Sequence, residues 1–148
     1  MKKAVLYAAM SSLLILSLLG PVVSLDSAHL LHAPFYHFFH ANLLHAGINL
    51  YVLYQIVKIL RPSGGRLFMA YVIATFIPPV LLAVPVVGLS GCIYALLGLC
   101  TPLVARKRYY VFYIVFFIFL QALLPAIAWH IHLYTFLVAL LLVLPDCQ

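Results

Sequence analysis

Apolar stretches of membrane-spanning length follow one another along almost the whole of this chain. A transmembrane helix needs about 20 predominantly apolar residues, and the stretches that meet or approach this length are residues 4–24, 40–60, 67–84, 88–105, 109–124 and 126–144. Of the 148 residues, 68% are hydrophobic and only 7% are charged. Such a composition cannot cover a water-exposed surface, which excludes a soluble enzyme, a disordered chain and a nucleic-acid-binding protein. The sequence predicts an all-α membrane protein whose partner is the lipid bilayer, a six-transmembrane-helix bundle forming one domain over residues 1–148.

The first apolar stretch also has the layout of a signal peptide, because Lys2 and Lys3 precede it. The stretch is long, however, and no small-x-small cleavage motif stands out before Leu25. We therefore expect a retained transmembrane helix.

The basic residues indicate how the bundle is oriented in the membrane. They precede the first span and cluster in two turns, between the second and third spans and between the fourth and fifth. The turn after the second span also carries helix breakers, at Pro62, Gly64 and Gly65. With six spans, all these basic residues fall on one side, which the positive-inside rule identifies as the cytoplasm. The set is Lys2, Lys3, Lys58, Arg61, Arg66, Arg106, Lys107 and Arg108.

This orientation predicts cytoplasmic N- and C-termini and an outer loop over residues 25–39. The loop holds Asp26, His29, His32 and His37, to which the sequence assigns no role. We expect an integral, multi-pass protein of a prokaryotic cell membrane.

Polar side chains from three different spans are expected at the same depth, near the outer surface. Polar residues inside a membrane are costly and tend to mark functional sites. Taken one by one, small residues can serve helix packing and a histidine–asparagine pair can form a structural hydrogen bond. Together they supply a nucleophile, a base and side-chain donors, which is a hydrolase constellation. The residues are His40, Asn42, His45 and Asn49 in the second span, Gly88, Ser90 and Gly91 in the fourth, and His130 and His132 in the sixth.

Three motifs at these positions resemble those of the rhomboid family of intramembrane serine proteases. Residues 39–49 carry two histidines and an asparagine, as in the second-helix signature of that family. Residues 88–94 contain a Gly-x-Ser-Gly motif with a tyrosine four residues after the serine, and residues 129–139 resemble the sixth-helix histidine motif. Family members generally have glycine where this chain has Thr135 and Ala139, and the outer loop is shorter than in many bacterial members.

The resemblance implies a role for each matching residue. Ser90 would be the nucleophile and His132 the general base and acid. The oxyanion would be held by the Ser90 backbone N–H together with the side chains of His45 and Asn49. The implied supporting residues are Tyr94, packed against the His132 ring, His40, a structural histidine near the outer loop, and Gly88 and Gly91 of the serine motif.

The residues themselves also favour His132 over His130 as the base. Two positions apart on a helix, these side chains face nearly opposite ways, so only one can approach Ser90. Positions +3 and +7 from His132 hold the small residues Thr135 and Ala139, which permit close helix contact, whereas the same offsets from His130 hold leucines. The fourth span offers a matching small stripe at Gly91, Ala95 and Gly98.

The chemistry is expected to need neither a metal nor another cofactor. The chain has only two carboxylates, Asp26 and Asp146, and the topology places the second in the cytoplasm. A serine–histidine dyad is therefore a better interpretation than a triad. The resemblance implies transmembrane proteins as substrates, cleaved near the outer end of their helices, and a lateral gate at the aromatic-rich fifth span.

Three other functions compete with this hypothesis. A non-catalytic rhomboid-like factor that binds membrane proteins for quality control would usually lack the serine or the histidine. A histidine-cluster metal or haem enzyme would be expected to show repeated His-x-x-His-His spacing, which is absent from the sequence, and the cysteines Cys92, Cys100 and Cys147 form no metal motif. A small transporter would be expected to show an inverted repeat or broken helices, and neither is seen.

Overall fold

The computed structural model describes residues 23–124 and 127–144, and the regular structure in these ranges is helical. One antiparallel bridge between Leu25 and Val86 joins the outer loop to the chain before the serine motif. Short 3-10 turns occupy Leu30–His32, Tyr36–Phe38, Pro79–Leu81 and Thr101–Leu103. The α-helices are α1 (Leu43–Leu60), α2 (Gly64–Thr75), α3 (Ser90–Leu99), α4 (Lys107–Gln121) and α5 (Trp129–Val143).

The all-α prediction is confirmed, whereas the number of membrane spans stays a prediction. Within the described ranges, α1 is the one helix that is both long and apolar enough to cross a bilayer, with 18 residues and a mean hydropathy of 1.4. Helices α3 and α5 are apolar but shorter. The span predicted at residues 4–24 lies outside the described residues.

Two of the predicted spans are much shorter as helices than the apolar pattern suggested. In the stretch predicted at 67–84, the α-helix runs over Gly64–Thr75 and ends before Pro78. Pro78 and Pro79 have no backbone N–H and cannot continue its hydrogen-bond ladder. The stretch at 88–105 gives the ten-residue α3 and then the 3-10 turn Thr101–Leu103. Hydropathy reports where the chain is apolar, and these non-helical segments are as apolar as the helices beside them.

Side-chain caps set the start of α1 and α2 and correct the sequence prediction there. The Asn42 side chain accepts from the His45 N–H at 2.9 Å, so His40 and Asn42 precede the helix rather than lie in its outer half. The Ser63 hydroxyl accepts from the Arg66 N–H at 3.3 Å, which places Gly64 and Gly65 in the first turn of α2 instead of the interhelical turn.

Helix α3 lies at the centre of the bundle, packed mainly against α5 and α2. Its buried residues join side chains of α1, α2 and α5 in one apolar core that includes Ile56, Ile73, Ile93, Leu96 and Val143. A second buried cluster, including Leu25, Tyr36, Leu82 and Ile131, closes the bundle at the outer-loop end. Ser90, the first residue of α3, directly follows Leu89 of the first cluster and comes four residues after Val86 of the second.

The outward faces of the helices are apolar, as expected for a surface in contact with lipid. Helix α4 shows this most clearly, because Ile118 is its one buried residue. The exposed side chains of α4 include Tyr109, Phe112, Tyr113, Phe116, Phe117, Phe119 and Leu120. This helix is therefore attached to the bundle less firmly than α3 or α5.

Candidate active site

Ser90 and His132, which are 42 positions apart in the sequence, form a direct hydrogen bond in the structure. The distance between Ser90 Oγ and His132 Nε2 is 2.9 Å. Ser90 lies at the N-terminus of α3 and His132 in the first turn of α5. The histidine is only 6% exposed, so the pair is held between packed helices. This is the geometry in which an imidazole can remove a serine proton.

The ring of Tyr94 stacks on the ring of His132. Their centroids are 4.5 Å apart and the planes are inclined by 21°. Tyr94 lies one turn after Ser90 on α3, so the same helix provides both the hydroxyl partner of the histidine and the surface that limits its rotation. The structure thus brings Tyr94 to the place that the resemblance implied.

A third partner of His132, Gln121, was missed in the sequence analysis. Gln121 is the last residue of α4, and its Oε1 lies 2.7 Å from His132 Nδ1. The Gln121 amide nitrogen in turn donates to the Tyr94 hydroxyl. The sequence contained one signal for it, a glutamine within an otherwise apolar span. A polar amide there indicates a hydrogen-bond partner on a neighbouring helix.

His130, the neighbouring histidine on α5, has a different environment. Its Nε2 lies 3.0 Å from the carbonyl oxygen of Leu81, to which it donates. The structure therefore brings His132 and not His130 to Ser90. The two side chains do not converge on a common point.

His45 and Asn49 approach the backbone just before Ser90, at Gly88. A Cβ placed on Gly88 would lie 2.8 Å from His45 Cε1 and 3.4 Å from Asn49 Nδ2. Gly88 has a φ of +113°, a conformation that residues with a side chain rarely adopt. Asn49 Nδ2 is buried and has no hydrogen-bond partner among the described residues. An unpaired buried donor is rare, and here it lies beside Gly88, two residues before the candidate nucleophile.

His40 supports the same segment through the residue before Ser90. Its Nε2 accepts from the Leu89 backbone N–H at 3.4 Å, and the side chain is 2% exposed. The rings of His40 and His45 meet edge to face, with centroids 5.2 Å apart. His40 thus holds the residue before Ser90 and the ring of His45 in one arrangement.

Gly91, the other glycine of the serine motif, faces the interior. A Cβ there would meet the Tyr36 hydroxyl at 3.5 Å and the Ala74 Cβ at 3.6 Å, which is ordinary van der Waals contact. A methyl group would therefore fit at this position, so the packing of α3 against α2 and the outer loop does not require glycine there.

The outer-loop histidines occupy two environments. His37 is fully buried, with Nδ1 3.4 Å from Cys92 Sγ and Nε2 3.3 Å from Thr75 Oγ1. Burial lowers the pKa of His37 to about 3, so it is neutral at physiological pH. His29 is exposed and bonds Asp26 at 2.9 Å, and this hydrogen bond lowers the pKa of Asp26. Neither group reaches the Ser90–His132 pair.

The described residues define an all-helical protein that holds a serine–histidine pair among its packed helices. The family model for the rhomboid domain matches residues 27–148. The chain therefore belongs to the rhomboid family, whose members are generally intramembrane serine proteases. No curated protein and no solved structure matches the chain in the corresponding comparisons.

Proposed function

We propose that this chain is an intramembrane serine endopeptidase that cleaves transmembrane segments of other membrane proteins near the outer face. The observation that supports this most strongly is the 2.9 Å hydrogen bond between Ser90 Oγ and His132 Nε2 in a member of the rhomboid family. A non-catalytic relative would have no need to keep this pair in bonding geometry.

In this proposal His132 Nε2 takes the proton of Ser90 as Oγ attacks the carbonyl carbon of the scissile bond. The tetrahedral intermediate collapses when the protonated His132 gives its proton to the leaving amine, and an acyl-enzyme remains on Ser90. Water, deprotonated by His132, then attacks the ester carbonyl, and the bond to Ser90 Oγ breaks as His132 returns the proton to that oxygen, which releases the second product and restores the resting pair. Serine is a weak nucleophile without such a base.

The proposed donors to the developing oxyanion are the backbone N–H of Ser90 and two side chains that lie against Gly88. The Ser90 N–H is at the start of α3, where backbone N–H groups have no partner within the helix. Asn49 Nδ2 is a buried donor without a partner among the described residues, and His45 lies next to it at Gly88. Donors that need no reorganisation are the most effective ones for stabilising a transition state.

The length of α3 supports cleavage below the membrane surface. Ten helical residues rise about 15 Å and the following 3-10 turn adds about 6 Å. A hydrocarbon core is about 30 Å thick. With Leu103, where the 3-10 turn ends, at the cytoplasmic boundary of the hydrocarbon core, Ser90 lies roughly 10 Å below the outer boundary. A transmembrane substrate with Gly, Pro or Ser near that depth unwinds most readily.

The orientation belongs to the same proposal. Both termini lie in the cytoplasm of a prokaryotic cell, in a multi-pass topology. The described basic residues support this, because Lys58 and Arg61 end α1, Arg66 is in the first turn of α2, and Arg106 precedes α4. Lateral movement of the loosely packed α4 would admit the substrate helix.

The test is proteolysis of a generic transmembrane substrate in liposomes, comparing wild type with Ser90→Ala. The control is Ser27→Ala, which removes an exposed hydroxyl from the outer loop. Cleavage by wild type and Ser27→Ala, but not by Ser90→Ala, is expected. A fluorophosphonate probe should label Ser90, and a chain that neither cleaves nor reacts with the probe would instead be the non-catalytic binding factor.

A further inference from the structure

The neighbours of His132 form a continuous line of hydrogen bonds that crosses three helices. Ser90 and Tyr94 belong to α3, His132 to α5 and Gln121 to α4. Ser90 Oγ contacts His132 Nε2 at 2.9 Å, His132 Nδ1 contacts Gln121 Oε1 at 2.7 Å, and the Gln121 amide nitrogen donates to the Tyr94 hydroxyl. The line therefore begins and ends on the same helix.

We propose that Gln121 is a positioning residue that holds His132 in the tautomer able to accept the Ser90 proton. This inference deepens the proposed function and rests on it for its effect on catalysis. The amide of Gln121 has one acceptor and one donor end, and its donor end is used by Tyr94. Its acceptor end therefore faces His132, and only a protonated Nδ1 can bond to it.

The consequence for Ser90 follows from the two-nitrogen ring. In a neutral imidazole, a proton on Nδ1 leaves Nε2 bare, and bare Nε2 is the atom that lies 2.9 Å from Ser90 Oγ. The opposite tautomer would present an N–H to the serine and could not take its proton. Gln121 thus orients the base as a buried carboxylate does in a triad, but without adding charge.

Gln121 also links this orientation to α4. It lies at the end of a helix in which Ile118 is the one buried residue, and its two bonds reach α3 and α5. A displacement of this end of α4 away from α5 would remove the acceptor from His132 Nδ1. The base is therefore fully oriented only while α4 rests against the bundle.

The experiment compares Gln121→Met, which keeps the side-chain length but removes both polar ends, with Gln121→Glu, which keeps the acceptor. Gln55→Met is the matched control, because among the described residues the Gln55 side chain bonds its neighbour Tyr51 on the exposed side of α1 and makes no contact with the Ser90–His132 pair. We expect Gln121→Met to lower kcat by about 10–100-fold at unchanged KM. Gln121→Glu should keep most of the activity that Gln121→Met loses. Gln55→Met should have the same kcat as wild type.

The tautomer is read separately by 15N NMR of histidine-labelled protein, in the Ser90→Ala background where no proteolysis occurs. The His132 signals, assigned by their loss in His132→Gln, should show a protonated Nδ1 with Gln121 present and a mixture of tautomers with Gln121→Met. If Gln121→Met fails to fold, Tyr94→Phe tests the same hydrogen bonds by removing the hydroxyl that orients the Gln121 amide. It should likewise give a mixture of His132 tautomers.

Unchanged kcat together with an unchanged tautomer in Gln121→Met would overturn the inference. Absence of proteolysis in the wild type would overturn the proposed function instead, while the NMR spectra would still decide what Gln121 does.

Discussion

Gly98 of α3 and Ala139 of α5 lie in close contact between the two helices that carry Ser90 and His132. A Cβ built on Gly98 would lie 2.8 Å from Ala139 Cβ and 2.6 Å from the carbonyl oxygen of Phe136. No alanine side chain fits there without moving backbone. The separation between Ser90 and His132 therefore depends on a missing methyl group two to three turns further along α3.

Gly98→Ala should consequently lower the stability of the protein. Overpacking of this kind costs about 1–3 kcal/mol, and the displacement of α5 should also reduce proteolysis. Gly47→Ala is the matched control, since a Cβ at Gly47 meets nothing within 4 Å and alanine is favoured in a helix. Thermal unfolding in detergent measures the stability of both variants, and cleavage of a transmembrane substrate measures their proteolysis. Equal melting temperatures for Gly98→Ala and wild type would contradict the close contact.

Gly88→Ala should abolish proteolysis even where the protein still folds. The new methyl group would meet the His45 ring at 2.8 Å, and the φ of +113° is unfavourable for alanine. Both effects act on the segment that leads into Ser90. Gly65→Ala is the control, because its Cβ would approach only the Ser63 hydroxyl, at 3.9 Å. An active Gly88→Ala would show that this turn does not position the site.

Asn49→Ala should reduce kcat by about 100-fold, a milder loss than in Ser90→Ala. The Ser90 amide and His45 remain as oxyanion donors. Stability should hold or rise, because Asn49 Nδ2 is buried without a partner among the described residues and its removal ends that desolvation cost. The two quantities are measured by single-turnover kinetics and thermal unfolding. A marked loss of stability would mean that the amide serves packing instead.

The sequence predicts a site residue well when the argument for it depends on neighbours within the same helix. The small positions Thr135 and Ala139 follow His132 at helical spacing, so a short stretch of sequence contained the argument for its orientation. Asn42 was placed within a helix because apolar pattern does not distinguish a cap from a first turn.

The contacts of Gln121 and His37 could not be predicted from spacing within one helix. The contact between Gln121 and His132 depends on how α4 packs against α5, and no periodicity within either helix encodes that. His37 is predicted by hydropathy to lie in an outer loop, yet the 3-10 turn Tyr36–Phe38 folds it inward against Cys92 and Thr75. Polar residues whose partners lie on other elements need the tertiary structure.

Replacing each of the two histidines of α5 by alanine in turn should separate their roles. His132→Ala is expected to be inactive, because Ser90 then has no base. His130→Ala should keep substantial activity and lose only the hydrogen bond to Leu81, worth about 1 kcal/mol. Activity of both purified variants is measured in the same liposomes. An inactive His130→Ala beside an active His132→Ala would reverse the assignment.

The burial of His37 predicts a loss of stability in acid. Its pKa is about 3 in the folded protein, against a usual value of 6.5, because burial disfavours the charged ring. The unfolded chain therefore binds a proton that the folded chain refuses, so the free energy of unfolding falls as pH drops from about 6.5 towards 3. Above that window the histidine contributes no pH dependence.

His37→Gln should make the stability profile between pH 6.5 and 3 less steep, because glutamine does not titrate, although the new side chain will lower stability at neutral pH through imperfect packing. The control is Ser27→Ala, an exposed substitution in the same loop that changes no titratable group and should leave the slope equal to that of wild type. Melting temperatures of the three proteins across this pH range give the slopes directly. The same acid dependence in His37→Gln and wild type would assign the effect to another group.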